Sequence, residues 1–200
     1  MMLNSHSINI EGFIRPKSFV EKWRQAYNNY DEKRYFDNID HVLDNWKSFR
    51  ELFAWKNGMG DKIAPQKLKL VEGFWYKQDI LKNLQNNFSW DVFEETFKPS
   101  TTSNIWKLFL LHIINPRDFP IFDQHVYRFY TFHKAGVIEE IPKNHKVRYL
   151  SYKEDYIHWF RDIRDTYQLN PKAMDEAFFS YGKMLKSLDT MRLDIKKVNA

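Results

Sequence analysis

Apolar residues recur at helical spacing along almost the whole chain, and this periodicity limits the fold more than any other feature. Stripes of this kind occur in residues 16–30, 39–53, 70–84, 89–97, 124–134 and 152–167. The clearest stripe follows the 3.6-residue period and comprises Ala173, Met174, Ala177, Phe178, Tyr181, Met184, Leu185 and Leu188. Strand-type alternation is rare, and the 6 glycines are few for a sheet protein. The sequence therefore predicts an all-α protein.

Size and composition allow one domain over residues 1–200, or two lobes that share a core. The 200 residues are 43% apolar and 18% aromatic, which is typical of a globular chain. The chain contains no cysteine, so disulfides, thiolate zinc sites and cysteine-ligated iron–sulfur clusters are excluded. The longest apolar run, Ile105 to Ile114, is too short to span a bilayer. We expect a monomeric cytoplasmic protein without a signal peptide or membrane partner.

The chain is moderately basic, with a formal charge of +5 and an isoelectric point near 9.2. Such an excess of positive charge suits an anionic partner such as DNA or RNA. The lysines and arginines of residues 182–200 are interpreted as a solvated end of the last helix.

The segment of residues 99–134 differs from the other helical stripes because prolines and a polar turn interrupt it. A hydroxyl-rich turn precedes the apolar run, which should end at Asn115 because proline disfavours helix in the residue before it. A short link containing Pro120 then leads to Asp123, where the next helix begins. An aspartate at this position caps a helix by accepting backbone N–H bonds.

The residues before Asp123 favour a functional role in addition to capping. Phe119, Ile121 and Phe122 should hold the carboxylate beside apolar surface and out of open water. A carboxylate in such surroundings is a candidate for a functional site.

The sequence Asp123-Gln124-His125-Val126-Tyr127-Arg128 resembles the Asp-x-His-Val-x-Arg segment of the helix-hairpin-helix (HhH-GPD) base-excision DNA glycosylases. In that family the segment also follows an extended link that contains proline, and its aspartate is the catalytic carboxylate. The resemblance covers about Pro99 to Arg128. It implies that Asp123 is catalytic, that the hairpin and catalytic segment lie at about 99–134, and that two helical lobes flank a cleft.

The stretch that corresponds to the family's hairpin departs from the usual pattern, because it contains no Gly-x-Gly turn. Hydroxyls and amides at a helix N-terminus can still bind a phosphate, so DNA contacts are predicted at Thr101, Thr102, Ser103 and Asn104. The resemblance places Ile105 where family members with lyase activity carry a lysine, while Lys107 lies two residues further on. The sequence therefore favours a monofunctional enzyme, with Lys107 as a further DNA contact.

Two aromatic residues are predicted to line a pocket for the excised base, although each is also a candidate for the core. Trp106 lies near the place where the alkylated-base branch of the family carries a tryptophan, and Tyr127 lies within the catalytic segment. An extruded base is usually received between aromatic walls.

Basic residues outside the hairpin supply further candidate phosphate contacts. Lys143 and Lys146 lie in the basic stretch of residues 142–148, and Arg128 follows Asp123 by five positions. Arg128 has the alternative role of pairing with an acid such as Asp118. His125 either orients Asp123 or a phosphate, or makes an ordinary bond within its helix.

The function predicted from the sequence is that of a monofunctional DNA glycosylase without a cofactor. Its expected partner is double-stranded DNA that contains a damaged or modified base, with phage-type modified pyrimidines among the candidates, and its product is an abasic site. A catalytically silent DNA-binding module and a structural interaction protein are the alternatives. A metal enzyme is a third, although no dense ligand pattern joins His112, Asp118, Asp123, His125 and His133.

Overall fold

The computed structural model describes residues 15–28, 31–58, 63–97 and 104–198, with side chains through residue 190. These residues form helices, and no strand occurs among them, which confirms the predicted all-α class. Within the same ranges, no helix is long and apolar enough to cross a membrane.

The helices are numbered here in chain order. They are α1 (Pro16–Gln25), α2 (Glu32–Ile39), α3 (Trp46–Asn57), α4 (Pro65–Trp75), α5 (Gln78–Asn86), α6 (Trp90–Thr96), α7 (Asn104–Ile114), α8 (Gln124–Ala135), α9 (His145–Leu150), a π-helical turn (Ser151–Tyr156), α10 (Ile157–Tyr167) and α11 (Pro171–Val198).

Short-range signals explain where many of these helices begin and end. Asn45 caps α3 by accepting the Lys47 N–H at 2.8 Å, and Ser89 caps α6 through the Val92 N–H at 3.4 Å. Proline occupies the first position of α1, α4 and α11, where its missing N–H is not needed. Gly58 ends α3 at φ +65°, a conformation that glycine adopts without strain.

The chain divides into two compact units that are not consecutive along the sequence. The middle unit comprises residues 29–115 and therefore α2 to α7. The terminal unit joins the residues up to Asn28 with those from Pro116 onward, so it contains α1 and α8 to α11. The segment predicted to hold both hairpin and catalytic residues thus contributes to both units, and the predicted cleft stays a prediction.

The middle unit has an aromatic core centred on Phe53, which is fully buried. Its ring stacks on Trp106 with centroids 5.2 Å apart and meets the edge of Phe109 at 5.4 Å. Phe49 lies 5.1 Å away in the same helix. Helix α7 is buried along its length, as its apolar run predicts.

The terminal unit has a separate aromatic core centred on Phe129 of α8. The ring of Phe129 lies 4.4 Å from Phe178 of α11 and 5.4 Å from Phe19 of α1, measured between centroids. Helix α11 packs against both α8 and α1. The first and last helices of the chain are therefore parts of one core.

Two of the predicted helical stripes are broken in the structure. Residues 39–53 are divided because α2 ends at Ile39, while Val42 and Leu43 are buried in the turn that follows. Residues 70–84 are divided between α4 and α5 at Tyr76 and Lys77. Val42 and Leu43 continue the first stripe although they lie in a turn, so periodicity alone does not reveal that break. The second break falls at exposed residues, since Tyr76 is 83% exposed.

Candidate functional site

Asp123 lies immediately before α8 and caps it. One carboxylate oxygen, Oδ1, accepts the N–H groups of His125 at 2.8 Å and Val126 at 3.1 Å. The residue is extended and partly exposed. The predicted capping role is confirmed, and the carboxylate is held in one orientation by the first turn of α8.

Backbone groups of the link before Asp123 bind buried side chains of later helices. The Tyr152 hydroxyl donates to the carbonyl oxygen of Pro120 at 2.9 Å. The Asp175 carboxylate, which is 3% exposed, accepts the Ile121 N–H at 3.3 Å. These bonds fix the backbone two and three residues before Asp123.

Two arginines of α10 bind the start of the same link. Arg161 donates from Nε to the Asp118 carbonyl oxygen at 2.9 Å. Arg164 donates to the Asp118 carboxylate at 2.9 Å and to the Arg117 carbonyl oxygen. Residues 117–121 are therefore tied to the terminal unit at several points, which limits the positions that Asp123 can take.

The three apolar residues that were predicted to place the Asp123 carboxylate beside apolar surface belong to the core. Phe119, Ile121 and Phe122 are all buried. The Phe122 ring lies 4.9 Å from Tyr156 and 5.1 Å from Tyr152, measured between centroids. Both tyrosines belong to the π-helical turn, an irregularity that occurs often at functional sites.

Tyr156 is fully buried, and its hydroxyl has no hydrogen-bond partner among the described residues. Burial raises the pKa of this phenol well above its usual value, and the negative charges of Asp175 and Asp123 act in the same direction. The tyrosine is therefore neutral and lies within electrostatic range of both carboxylates.

Arg128 is 1% exposed and forms a bidentate ion pair with Glu140, through Nε at 2.9 Å and Nη2 at 2.6 Å. Its Nη1 also donates to Nδ1 of His125 at 3.1 Å. The acid that pairs with Arg128 is thus Glu140, whereas Asp118 binds Arg164. Burial and pairing favour a structural role for Arg128 over the predicted phosphate contact.

His125 accepts a bond from a guanidinium, which can only donate, so its Nδ1 carries no proton. Burial lowers the pKa of His125, the nearby Asp123 opposes this effect, and the charges of Arg128, Lys186 and Lys183 lower the pKa further. His125 is therefore a neutral imidazole whose pKa responds to one carboxylate and three cations.

The two lysines near His125 were not among the sequence-predicted contacts. Lys183 and Lys186 are exposed on α11, and neither ammonium pairs with an acid among the described residues. The sequence shows that both lysines lie on the same side of the helix as Phe179, because they follow it by four and seven residues. It does not show their proximity to α8, because that depends on how the two helices pack.

The basic stretch of residues 142–148 leads into the short helix α9, which has its own cap. Asn144 accepts the N–H groups of Lys146 at 2.9 Å and Val147 at 3.1 Å, while Arg148 binds the Pro142 carbonyl oxygen at 2.8 Å. Lys143 and Lys146 are exposed, so both stay candidate phosphate contacts.

The predicted site residues of α7 are buried in the middle unit. Trp106 is 5% exposed and stacks on Phe53, and the Lys107 ammonium lies 5.2 Å from the centroid of the Phe93 ring. Asn104 is also buried. These placements favour core roles, while Thr101, Thr102 and Ser103 lie outside the described residues.

Tyr127, the second predicted pocket residue, is 7% exposed in the terminal unit. Its ring lies 5.8 Å from Phe122 and 6.0 Å from Tyr130, measured between centroids. An open cavity of about 460 Å³ occurs in the middle unit between α4 and the end of α6, and Lys69, Gly73 and Phe97 line it. Its lining includes none of the predicted site residues.

The histidines and aspartates considered as metal ligands have other partners. His112 shares a 2.8 Å hydrogen bond with the Tyr35 hydroxyl, and His133 accepts the Trp159 indole N–H at 3.1 Å. Within the described ranges, no group of three or more histidine, aspartate or glutamate side chains is arranged to hold a metal ion.

Comparisons of the chain with protein-family models, with curated proteins and with solved structures gave no match.

Proposed function

We propose that the protein is a monofunctional DNA glycosylase that hydrolyses the N-glycosidic bond of a damaged or modified base. The observation that carries this proposal is the placement of Asp123. Its carboxylate is partly exposed, oriented by two backbone N–H bonds and preceded by a buried link that other helices hold in place. It also belongs to the segment that resembles the catalytic segment of helix-hairpin-helix glycosylases.

A single fixed carboxylate is sufficient for this chemistry. Positive charge develops on the sugar as the base departs, and a carboxylate near C1′ stabilises that charge. The same group can orient or deprotonate the attacking water. Because Asp123 is held before substrate binds, its orientation need not change during the reaction.

We propose that the enzyme lacks lyase activity because Lys107, the candidate nucleophile, is buried. A Schiff-base nucleophile needs a neutral amine that reaches the sugar, but Lys107 is 6% exposed and packs over Phe93. This burial supports hydrolysis by Asp123 without strand cleavage.

A catalytically silent DNA-binding module of the same fold is the second candidate. The observation that favours it is the capping bond itself, since a structural role alone accounts for an aspartate before α8. The missing glycines of the hairpin agree with this alternative.

The decisive experiment separates the charge of Asp123 from its capping role. Asparagine caps a helix about as well as aspartate, whereas alanine does not. Asp123→Asn should therefore fold like the wild type, and Asp123→Ala should lose about 1 kcal/mol of unfolding free energy. Asn144→Ala, which removes the cap of α9, is the control for capping alone.

Base release would be measured on DNA containing alkylated, oxidised, uracil, mismatched or phage-modified bases, with alkali revealing abasic sites. We expect wild type and Asn144→Ala to release one class of base, and Asp123→Asn to lose at least a hundredfold in rate. Asp123→Asn with wild-type activity would refute the catalytic role. Binding without release on any substrate would support the silent module, and strand breaks without alkali would implicate a lyase nucleophile.

A further inference from the structure

The surface beside Asp123 carries a concentration of positive charge that the proposed catalytic step does not use. The charge belongs to Lys183 and Lys186 of α11, which lie near the neutral, half-buried His125 of α8, and this surface is called here the basic face. The lysines are three residues apart and therefore lie on one side of the helix.

The packing of α8 against α11 fixes the position of this face. The site that a Cβ of Gly182 would occupy lies only 1.9 Å from the carbonyl oxygen of His125, so the two backbones are in direct contact there. The ring of Phe179, one turn earlier, lies 4.7 Å from the His125 imidazole. Lys183 is adjacent to Gly182, and Lys186 lies one turn further along α11. Both lysines are therefore close to the first turn of α8.

Three positive charges lie near His125, and they are only partly balanced by negative charge. Arg128, Lys183 and Lys186 all act on His125, and Asp123 is the acid that acts on it in the opposite direction. Arg128 is neutralised by Glu140, but the two lysine ammonium groups have no acidic partner among the described residues. Clustered cations repel one another, and a bound anion would relieve that repulsion.

We propose that the basic face binds backbone phosphates of DNA next to Asp123. The proposal rests on the proposed function, because it assigns the phosphate contacts of the same site. Two exposed lysines with flexible stems suit phosphates spaced along a strand, and such contacts position a duplex without reading its sequence.

The test is the salt dependence of binding to a fluorescent double-stranded oligonucleotide. Each phosphate neutralised contributes about 0.9 to the slope of log affinity against log salt. Lys183→Gln/Lys186→Gln should therefore lower the slope by about 2. Lys17→Gln/Lys22→Gln removes the same charge from exposed positions of α1 that do not act on His125, and should change the slope by less than half as much.

A second readout locates the contact. The imidazole of His125, followed by NMR, should show a raised pKa in the Lys183→Gln/Lys186→Gln variant, because two nearby cations have been removed. Addition of the oligonucleotide should raise the same pKa in the wild type. Lys183→Gln/Lys186→Gln and the control Lys17→Gln/Lys22→Gln should both unfold at the wild-type temperature, since the substituted lysines are exposed.

An unchanged slope in Lys183→Gln/Lys186→Gln, or an equal loss in the control pair, would overturn the proposal. Base release measured on the same proteins keeps the two proposals apart. A loss of slope without any base release would support the basic face and contradict the glycosylase. If Lys183→Gln/Lys186→Gln keeps both base release and the wild-type salt slope, the glycosylase is supported and the basic face is contradicted.

Discussion

The two buried tyrosines of the π-helical turn allow one substitution to be compared in two environments. Both are fully buried, but the Tyr152 hydroxyl binds the Pro120 carbonyl oxygen, whereas the Tyr156 hydroxyl has no partner within the described ranges. Loss of a buried hydrogen bond destabilises a protein because the remaining group stays unsatisfied, while removal of an unsatisfied hydroxyl does not.

We therefore predict that Tyr152→Phe lowers the free energy of unfolding by about 1–2 kcal/mol. Tyr156→Phe should leave it unchanged or raise it. Urea denaturation of both variants and the wild type measures the difference. A larger loss in Tyr156→Phe than in Tyr152→Phe would contradict the assignment of hydrogen bonds in this turn.

Single residues of the candidate site were predictable to different degrees. The position of Asp123 before a helix follows from the prolines and the helical stripe, so its capping role could be predicted. The pairing of Arg128 with Glu140 could not, because the two are twelve residues apart and are joined by a loop whose path the sequence does not show. Trp106 and Lys107 are buried for a different reason, because α7 is buried along its length and leaves neither side chain an exposed face.

At the scale of the elements, helices α11 and α8 are in backbone contact at Gly182. An added Cβ at this position would overlap backbone atoms of His125, which lie at 1.9 and 2.6 Å. Gly73 of α4 offers a matched contrast, because nothing lies within 4 Å of the corresponding position there.

Gly182→Ala should lower the free energy of unfolding by about 1–3 kcal/mol, because α11 must move away from α8. Gly73→Ala should raise it by about 0.5–1 kcal/mol through improved helix propensity. Thermal or urea unfolding gives both values. An increase for Gly182→Ala, like that expected for Gly73→Ala, would mean that α8 and α11 are not in backbone contact.

Helix boundaries were predictable where a cap, a proline or a glycine marked them, as at Ser89, Pro116 and Gly58. The boundary between α2 and α3 was missed because Val42 and Leu43 are buried without being helical. Helix α9 was not predicted, since none of its residues is buried and it shows no apolar stripe. Periodicity reports burial, and it fails where burial and helix do not coincide.

On the scale of the whole molecule, the two units have separate aromatic cores, one at Phe53 and one at Phe129. The sequence shows enough apolar residues for either one core or two, so this division could not be predicted. Phe19 belongs to the terminal core, where its ring lies 5.4 Å from Phe129 and 5.3 Å from Tyr181, measured between centroids.

Phe19→Ala should destabilise the terminal unit by about 3–5 kcal/mol because it leaves a cavity beside Phe129. Hydrogen exchange should then show faster exchange in α8 and α11, with α3 and α7 of the middle unit little changed. Phe53→Ala should produce the opposite pattern. Equal acceleration in all four helices for either variant would show that the two units unfold as one.

The backbone contact at Gly182 also constrains how this chain can diverge. Any side chain at that position would separate α11 from α8 and so displace both Asp123 and the two lysines. A related sequence with the same arrangement should therefore combine an aspartate before one helix with a glycine far downstream, followed at once by a basic residue. These few positions form a sequence pattern by which distant homologues could be recognised even where overall sequence similarity has been lost.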